Sequence, residues 1–245
     1  FNRFSMSEGS DMFIYNKETS HVIGAFDART NKSYGSLATA LVDGEEIIIE
    51  LYQPSGADRS EINIGTVVHD YFGVFNFLDQ DRVDCNTNVS CIQGAPFEDQ
   101  INGTVMINMG SGLCSASIVN NTAQDLTPYI LTADHCIMGS ASNYTFYFNY
   151  QSETCNGTSG PQNQSMSGST LKASGTGPDF ALLELTSQIP ESYNPYYLGW
   201  SRASSATQIS NAVGVHHPGA GIKKISFTSD NVSSSSNGNY WEFRY

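Results

Sequence analysis

Cations are scarce in this chain. Lys and Arg together number 11 of 245 residues against 24 Asp and Glu, giving a formal charge of -13 and a pI of about 4.5. A surface of that sign repels phosphate backbones and anionic lipid, which argues against nucleic acid and membrane partners. No apolar run approaches the ~18 residues that a membrane span requires, so no insertion is expected. A secretory leader is not visible, and Phe1-Asn2-Arg3 reads as the start of a processed or trimmed chain. None of the cysteines lies in a CxxC pair, which argues against a zinc site, and neither metal nor cofactor is expected. No long segment of period 3.6 competes with the strand signals described below.

What the chain does carry is five cysteines, Cys85, Cys91, Cys114, Cys136 and Cys155, in a background rich in Ser, Asn, Gly and Thr. That combination points to a disulfide framework, an oxidising compartment and a secreted, extracellular protein. The odd count leaves one cysteine whose partner is missing, intermolecular or reduced. Asn-x-Ser/Thr sequons at Asn88, Asn102, Asn120, Asn143 and Asn156 suggest exposed loops.

Short strand signals run the length of the sequence. Leu37–Val42 and Glu46–Tyr52 flank Asp43-Gly44, the signature of a hairpin turn, and Ile62–Val68 follows a polar turn. The first 78 residues therefore read as a small, cysteine-free β module of sandwich type. The polar stretch Asp79–Asn88 marks the domain boundary, with a second domain over 79–245. Beyond it come strand signals at Gly103–Ile107, Ser115–Val119, Tyr144–Tyr150, Phe180–Leu185 and Tyr240–Tyr245, separated by Gly, Asn and Ser turns. Such a series indicates an all-β antiparallel barrel or sandwich.

The chemistry concentrates at Thr132-Ala133-Asp134-His135-Cys136. Imidazole is the side chain suited to act as a general base near neutral pH, and a disulfide at the next residue would hold it still. Cys114 lies upstream at the head of a strand signal, and two adjacent strands of one barrel would bring it beside Cys136. A loop of that size stabilises by about 3 kcal/mol when closed. Asp179 stands just before the apolar run Phe180–Leu185, which can carry it inward, where a carboxylate needs a partner and an imidazole N–H supplies one. Asp134 neighbours His135 but points away on an extended chain and reads as a turn residue. His216-His217 could suggest a metal pair, but no third ligand has suitable spacing, and a loop role is the better reading. Trp200 reads as core or inter-barrel packing.

Taken in order, Cys114–Thr122, Leu131–Cys136, Asp179–Leu185, Gly199-Trp200 and His216-His217-Pro218 with Lys223–Ser226 resemble the lysyl endopeptidase branch of secreted bacterial chymotrypsin-like serine proteases. The resemblance covers roughly Cys85 to Tyr245. It implies a double β-barrel, His135 as general base, Asp179 as its orienter, and disulfides Cys114–Cys136 and Cys91–Cys155. It pairs Cys85 with a cysteine beyond Tyr245. It also implies a protein or peptide substrate, with cleavage after lysine as the family expectation. The β-rich first module resembles the proregion of such zymogens.

One part is not visible. The family's serine lies in a Gly-Ser-Ser-Gly-Ser-Pro-like stretch that does not occur in these residues. Gly110-Ser111-Gly112 and Gly168-Ser169 are weak mimics. The expectation is therefore a fragment with an incomplete second barrel, its nucleophile beyond Tyr245, and no activity by itself; its partners would be its own proregion or the missing C-terminal segment. The competing expectations are a non-catalytic binding or surface-assembly protein on a protease scaffold and, more distantly, a zinc hydrolase using His216 and His217.

Overall fold

The computed structural model describes residues 1–70, 86–202, 209–234 and 241–242. The protein is mostly β, with a small N-terminal module followed by a larger barrel-forming region. The expected boundary around Asp79–Asn88 falls largely outside the described residues, as does Cys85.

In the first module β1 (Arg3–Ser5) pairs with β5 (Glu61–Asn63), while β2 (Asp11–Asn16) is flanked by β3 (Val22–Phe26) and β4 (Ile47–Tyr52). Strand β2 alternates, burying Met12 and Ile14 and leaving Phe13 and Tyr15 on the other face. The buried face meets Phe4, Met6 and Leu37 in a small core. Alternate side chains leave opposite faces of a strand, so a single row of apolar residues is enough to define this core.

The Asp43-Gly44 hairpin does not form. Strand β4 pairs with β2, and Leu37–Val42 belongs to no strand. That segment lies instead against the barrel. The Leu41 amide donates to Tyr147 Oη at 3.0 Å, and Thr145 Oγ1 donates to the Thr39 carbonyl at 3.3 Å. Ala40 and Leu41 pack against Met106, Tyr147, Tyr150 and Ile222. The apolar residues that suggested a strand are used for this docking, which explains why periodicity misassigned them. The expected strand at Ile62–Val68 is likewise reduced to the end of β5.

The second region begins with β6 (Thr87–Asn88) and the short α1 (Glu98–Asn102). Seven strands then form one antiparallel sheet: β7 (Thr104–Asn108), β8 (Leu113–Val119), β9 (Tyr129–Thr132), β10 (Thr145–Tyr147), β11 (Ser165–Ser167), β12 (Ser169–Gly175) and β13 (Phe180–Leu185). Their order across the sheet is β11-β10-β7-β8-β9-β13-β12. The two edges, β11 and β12, are consecutive in the chain and are separated only by Gly168. The Gly168 amide donates to the Tyr144 carbonyl at 2.9 Å, and its carbonyl accepts from Thr186 N at 3.2 Å. One bent strand thus completes both ends of the ladder, and the sheet curls into a barrel with few free edges. Gly168 has φ +87°, and a Cβ there would lie 2.1 Å from Tyr34 Oη, so both backbone and space require glycine.

Val105, Ile107, Ile118, Ile130, Phe146 and Leu183 fill the barrel. On its outer side Met106 and Tyr147 are equally buried, under the docked segment and Ile222. The remaining strands are β14 (Val213–His216), β15 (Lys224–Phe227), β16 (Ser233–Ser234) and β17 (Trp241–Glu242). Strands β14, β15 and β6 form a three-stranded sheet over Val89, Ile101 and Ile225, and β16 pairs with β17.

Candidate active site

Strand β9 delivers the histidine. It ends at Thr132, whose Oγ1 donates to the Ser115 carbonyl at 3.0 Å, and the chain then makes a single 3-10 turn over Asp134–Cys136. Cys136 is buried and joined to Cys114 of β8 by a disulfide, while His135 projects from the same turn with 70% of its side chain exposed. The neighbouring disulfide fixes the base of the turn; the ring itself remains open to solvent. A second disulfide joins Cys91 to Cys155.

Strand β13 delivers the carboxylate. It runs antiparallel to β9 with Ala181 opposite Thr132, so the residue just before β13 meets the turn just after β9. Asp179 occupies that position with φ +50°, a left-handed conformation that Asp tolerates better than most residues. Its Oδ1 accepts the His135 backbone amide at 3.0 Å, and its Oδ2 accepts from His135 Nδ1 at 2.8 Å. These bonds from the His135 amide and ring hold the Asp179 carboxyl below the usual carboxylate range. With a carboxylate on Nδ1, the proton of the neutral ring sits there, and Nε2 is left as the basic nitrogen.

The expectation that β13 carries Asp179 into the interior is corrected. The aspartate sits at the strand's mouth with 35% of its side chain exposed. The apolar run starts one residue later, so the fold buries Ala181, Leu183 and Leu185 while Asp179 remains at the rim. Asp134 opens the 3-10 turn half-buried and does not supply the ring's partner.

Other predicted residues lie elsewhere. Ser111 is exposed, with Oγ 3.5 Å from Met138 Sδ. Ser169 is buried in the barrel wall, its Oγ donating to the Ala141 carbonyl at 2.9 Å. Neither bonds to His135, and among the described residues no hydroxyl does. Trp200 is exposed, not core, and donates Nε1–H to the Asn120 carbonyl at 3.0 Å. Asn88 is not an exposed sequon; its buried amide donates to the Cys155 and Gly157 carbonyls, each at 2.8 Å.

Sequence reasoning missed a buried basic cluster at the base of β14 and β15. His217 stacks on Tyr150, donates its backbone amide to Ser115 Oγ at 2.8 Å, and donates Nδ1–H to the Gly221 carbonyl at 2.9 Å. Its Nε2 is buried without a hydrogen-bond partner. Burial, reinforced by Lys223, lowers the His217 pKa to about 3. Lys223 is itself fully buried, with Nζ donating to the Ile101 carbonyl at 2.7 Å, and burial lowers its pKa to about 7. A Lys-Lys pair by itself gives no sign of such burial, because it depends on the distant α1 supplying the Ile101 carbonyl. His217 lies in the connection between β14 and β15, as the loop reading has it, but its ring is committed to the interior.

Residues 80–244 match the family described as lysyl endopeptidase, C-terminal domain. The chain belongs to this family. Among solved structures, the chain is similar to the Rv3671c protease in an inactive form, at 14% identity and a TM-score of 0.40, over 62% of this chain and 65% of that one. It is also similar to a mutant of Rv3671c from M. tuberculosis, again inactive, at 14% identity and a TM-score of 0.38, over 60% of this chain and 58% of that one. The chain thus spans less than two thirds of either structure.

Proposed function

We propose that this chain contributes the general base and its orienter to a secreted serine endopeptidase. The observation that carries the proposal is the grip of Asp179 on His135 by both carboxylate oxygens, beside the Cys114–Cys136 bridge. In the reaction His135 Nε2 takes the proton of a serine hydroxyl as that oxygen attacks the peptide carbonyl. The imidazolium so formed is steadied by Asp179, and the proton is then passed to the leaving amine. The serine comes from outside the described residues, and family membership favours cleavage after lysine.

Residues 1–78 are assigned as a proregion-like module and 79–245 as the protease domain. Docking of Thr39–Leu41 on the barrel supports a module that assists or masks the protease until removed. Disulfides in a chain with no helix long and apolar enough to cross a membrane, among the described residues, support secretion.

The test uses the native secreted protein with peptide amides carrying lysine, arginine or leucine before the scissile bond. Cleavage after lysine that His135→Ala and Asp179→Asn both abolish supports the proposal. Absence of cleavage together with absence of fluorophosphonate labelling supports the non-catalytic scaffold instead.

A further inference from the structure

The N-terminal module leaves its β4 edge unfinished. All six residues of β4 are exposed, including Ile47, Ile49 and Leu51 at 47%, 40% and 44%. In the β2–β4 register these three stand beside Asn16, Ile14 and Met12, on the face where the module builds its core. The core side of the sheet therefore continues past its cover as an aliphatic stripe.

Among the described residues the backbone of the same strand is also unpartnered on that edge. Lys17 N donates to the Glu46 carbonyl at 3.1 Å, which marks that pair as hydrogen-bonded. Pairs alternate along an antiparallel ladder, so Glu46, Ile48, Glu50 and Tyr52 turn their amides toward β2. Ile47, Ile49 and Leu51 turn theirs outward, and β4 is the edge strand of its sheet. Outward amides and uncovered aliphatic side chains thus belong to the same residues.

We propose that β4 is a homodimerisation edge, pairing antiparallel with β4 of a second copy about a two-fold axis at Ile49. In that register Ile49 faces Ile49, and Ile47 faces Leu51. Every outward amide acquires a partner, and the aliphatic side chains of both copies merge into one stripe on the core side. On the other face Ile48 stands opposite Glu50, so no like charges meet. The neighbouring registers on either side set Glu50 against Glu50 or against Glu46, which like-charge repulsion disfavours. The strand is therefore complementary to itself in hydrogen bonding, apolar surface and charge at a single register, as an isologous interface demands. A dimer also removes the exposed edge that would otherwise template aggregation. The chain's charge of -13 opposes association, so the dimer tightens as salt screens it.

The experiment is sedimentation velocity on the full 245-residue chain in a Cys85→Ser background, where the fifth cysteine cannot link copies. A monomer–dimer equilibrium is expected, weakened at least about tenfold by Ile49→Lys, which sets two cations face to face on the axis. In parallel, Ile49→Cys should form a disulfide-linked dimer under mild oxidation, whereas Glu50→Cys, opposite Ile48 on the other face, should not. This arm decides the matter even if Ile49→Lys does not fold. A chain that stays monomeric at its highest soluble concentration, a dimer insensitive to Ile49→Lys, or equal cross-linking at the two cysteine positions overturns the proposal.

Discussion

Asp179 holds His135 at two points, the backbone amide and ring Nδ1, across 44 residues of sequence. One oxygen fixes where the histidine's chain runs, and the other fixes which way its ring faces and which nitrogen carries the proton. Replacing the carboxylate with an amide keeps the shape but reverses the proton preference, because Asn can turn its NH2 toward Nδ1. In the proposed full-length endopeptidase Asp179→Asn is expected to lower kcat by about 10^4-fold. In this chain, nitrogen NMR of the imidazole should show the proton on Nδ1 in the parent and on Nε2 in the variant.

The bridge between Cys114 and Cys136 closes a loop with a sequence separation of 22 around the turn that bears His135. Replacing both cysteines with alanine is expected to reduce stability by about 3 kcal/mol, chiefly by freeing the unfolded chain. Denaturant titration measures the loss, and the His135 resonances should broaden as the turn loosens.

Tyr147 links the barrel to the docked N-terminal segment by accepting the Leu41 amide. The phenol is buried, and burial raises its pKa to about 12, so it remains a neutral hydroxyl at working pH. Tyr147→Phe leaves the Leu41 N–H without its acceptor and is expected to destabilise by about 1–3 kcal/mol. Limited proteolysis should cut between residues 37 and 43 faster in the variant. Equal cutting rates would show that the bond does not secure the segment.

Gly168 is where one strand passes from one sheet edge to the other. Gly168→Ala meets both an unfavourable backbone conformation and Tyr34 Oη, and is expected to cost at least about 2 kcal/mol. In a Tyr34→Ala background the worst clash disappears, leaving the backbone penalty and a tight 3.1 Å approach to Thr186 Oγ1, so the two substitutions should be non-additive in thermal unfolding.

The buried pair His217 and Lys223 gives stability two pH-dependent limbs. Lys223 has a folded pKa of about 7 against 10.5 for an exposed lysine. Between those values the unfolded chain binds the extra proton, so stability rises as pH climbs from about 7 toward 10.5. His217 is lowered to about 3 from 6.5, so stability falls as pH drops from 6.5 toward about 3. Lys223→Met should flatten the alkaline limb and keep an acid one. Denaturant midpoints across pH 4 to 10, run for parent and variant, measure both. An unchanged alkaline limb would mean that Lys223 is not the group responsible.

Much of the family-matching region is legible in sequence because its signals are local. The alternation in Ser115–Val119 and the apolar run Phe180–Leu185 mark strands by side-chain period alone, and the structure places β8 and β13 there. The His-Cys pair and the aspartate before its strand identify the two candidate site residues by residue type. Local signals failed where an apolar segment had a distant use. Leu37–Val42 reads as half a hairpin, yet its side chains and amides are spent on the barrel.

The sequence by itself therefore determined the all-β character, the cysteine positions and the chemical identity of the candidate base and its candidate orienter. Only the tertiary structure decided that Asp179 stays at the rim, that Gly168 joins two sheet edges, that Lys223 is buried and that β4 is left uncovered. Strand period tells which side chains share a face, and it is written in neighbouring residues. Whether that face meets solvent, another sheet or a segment from far along the chain depends on packing partners that no local pattern names.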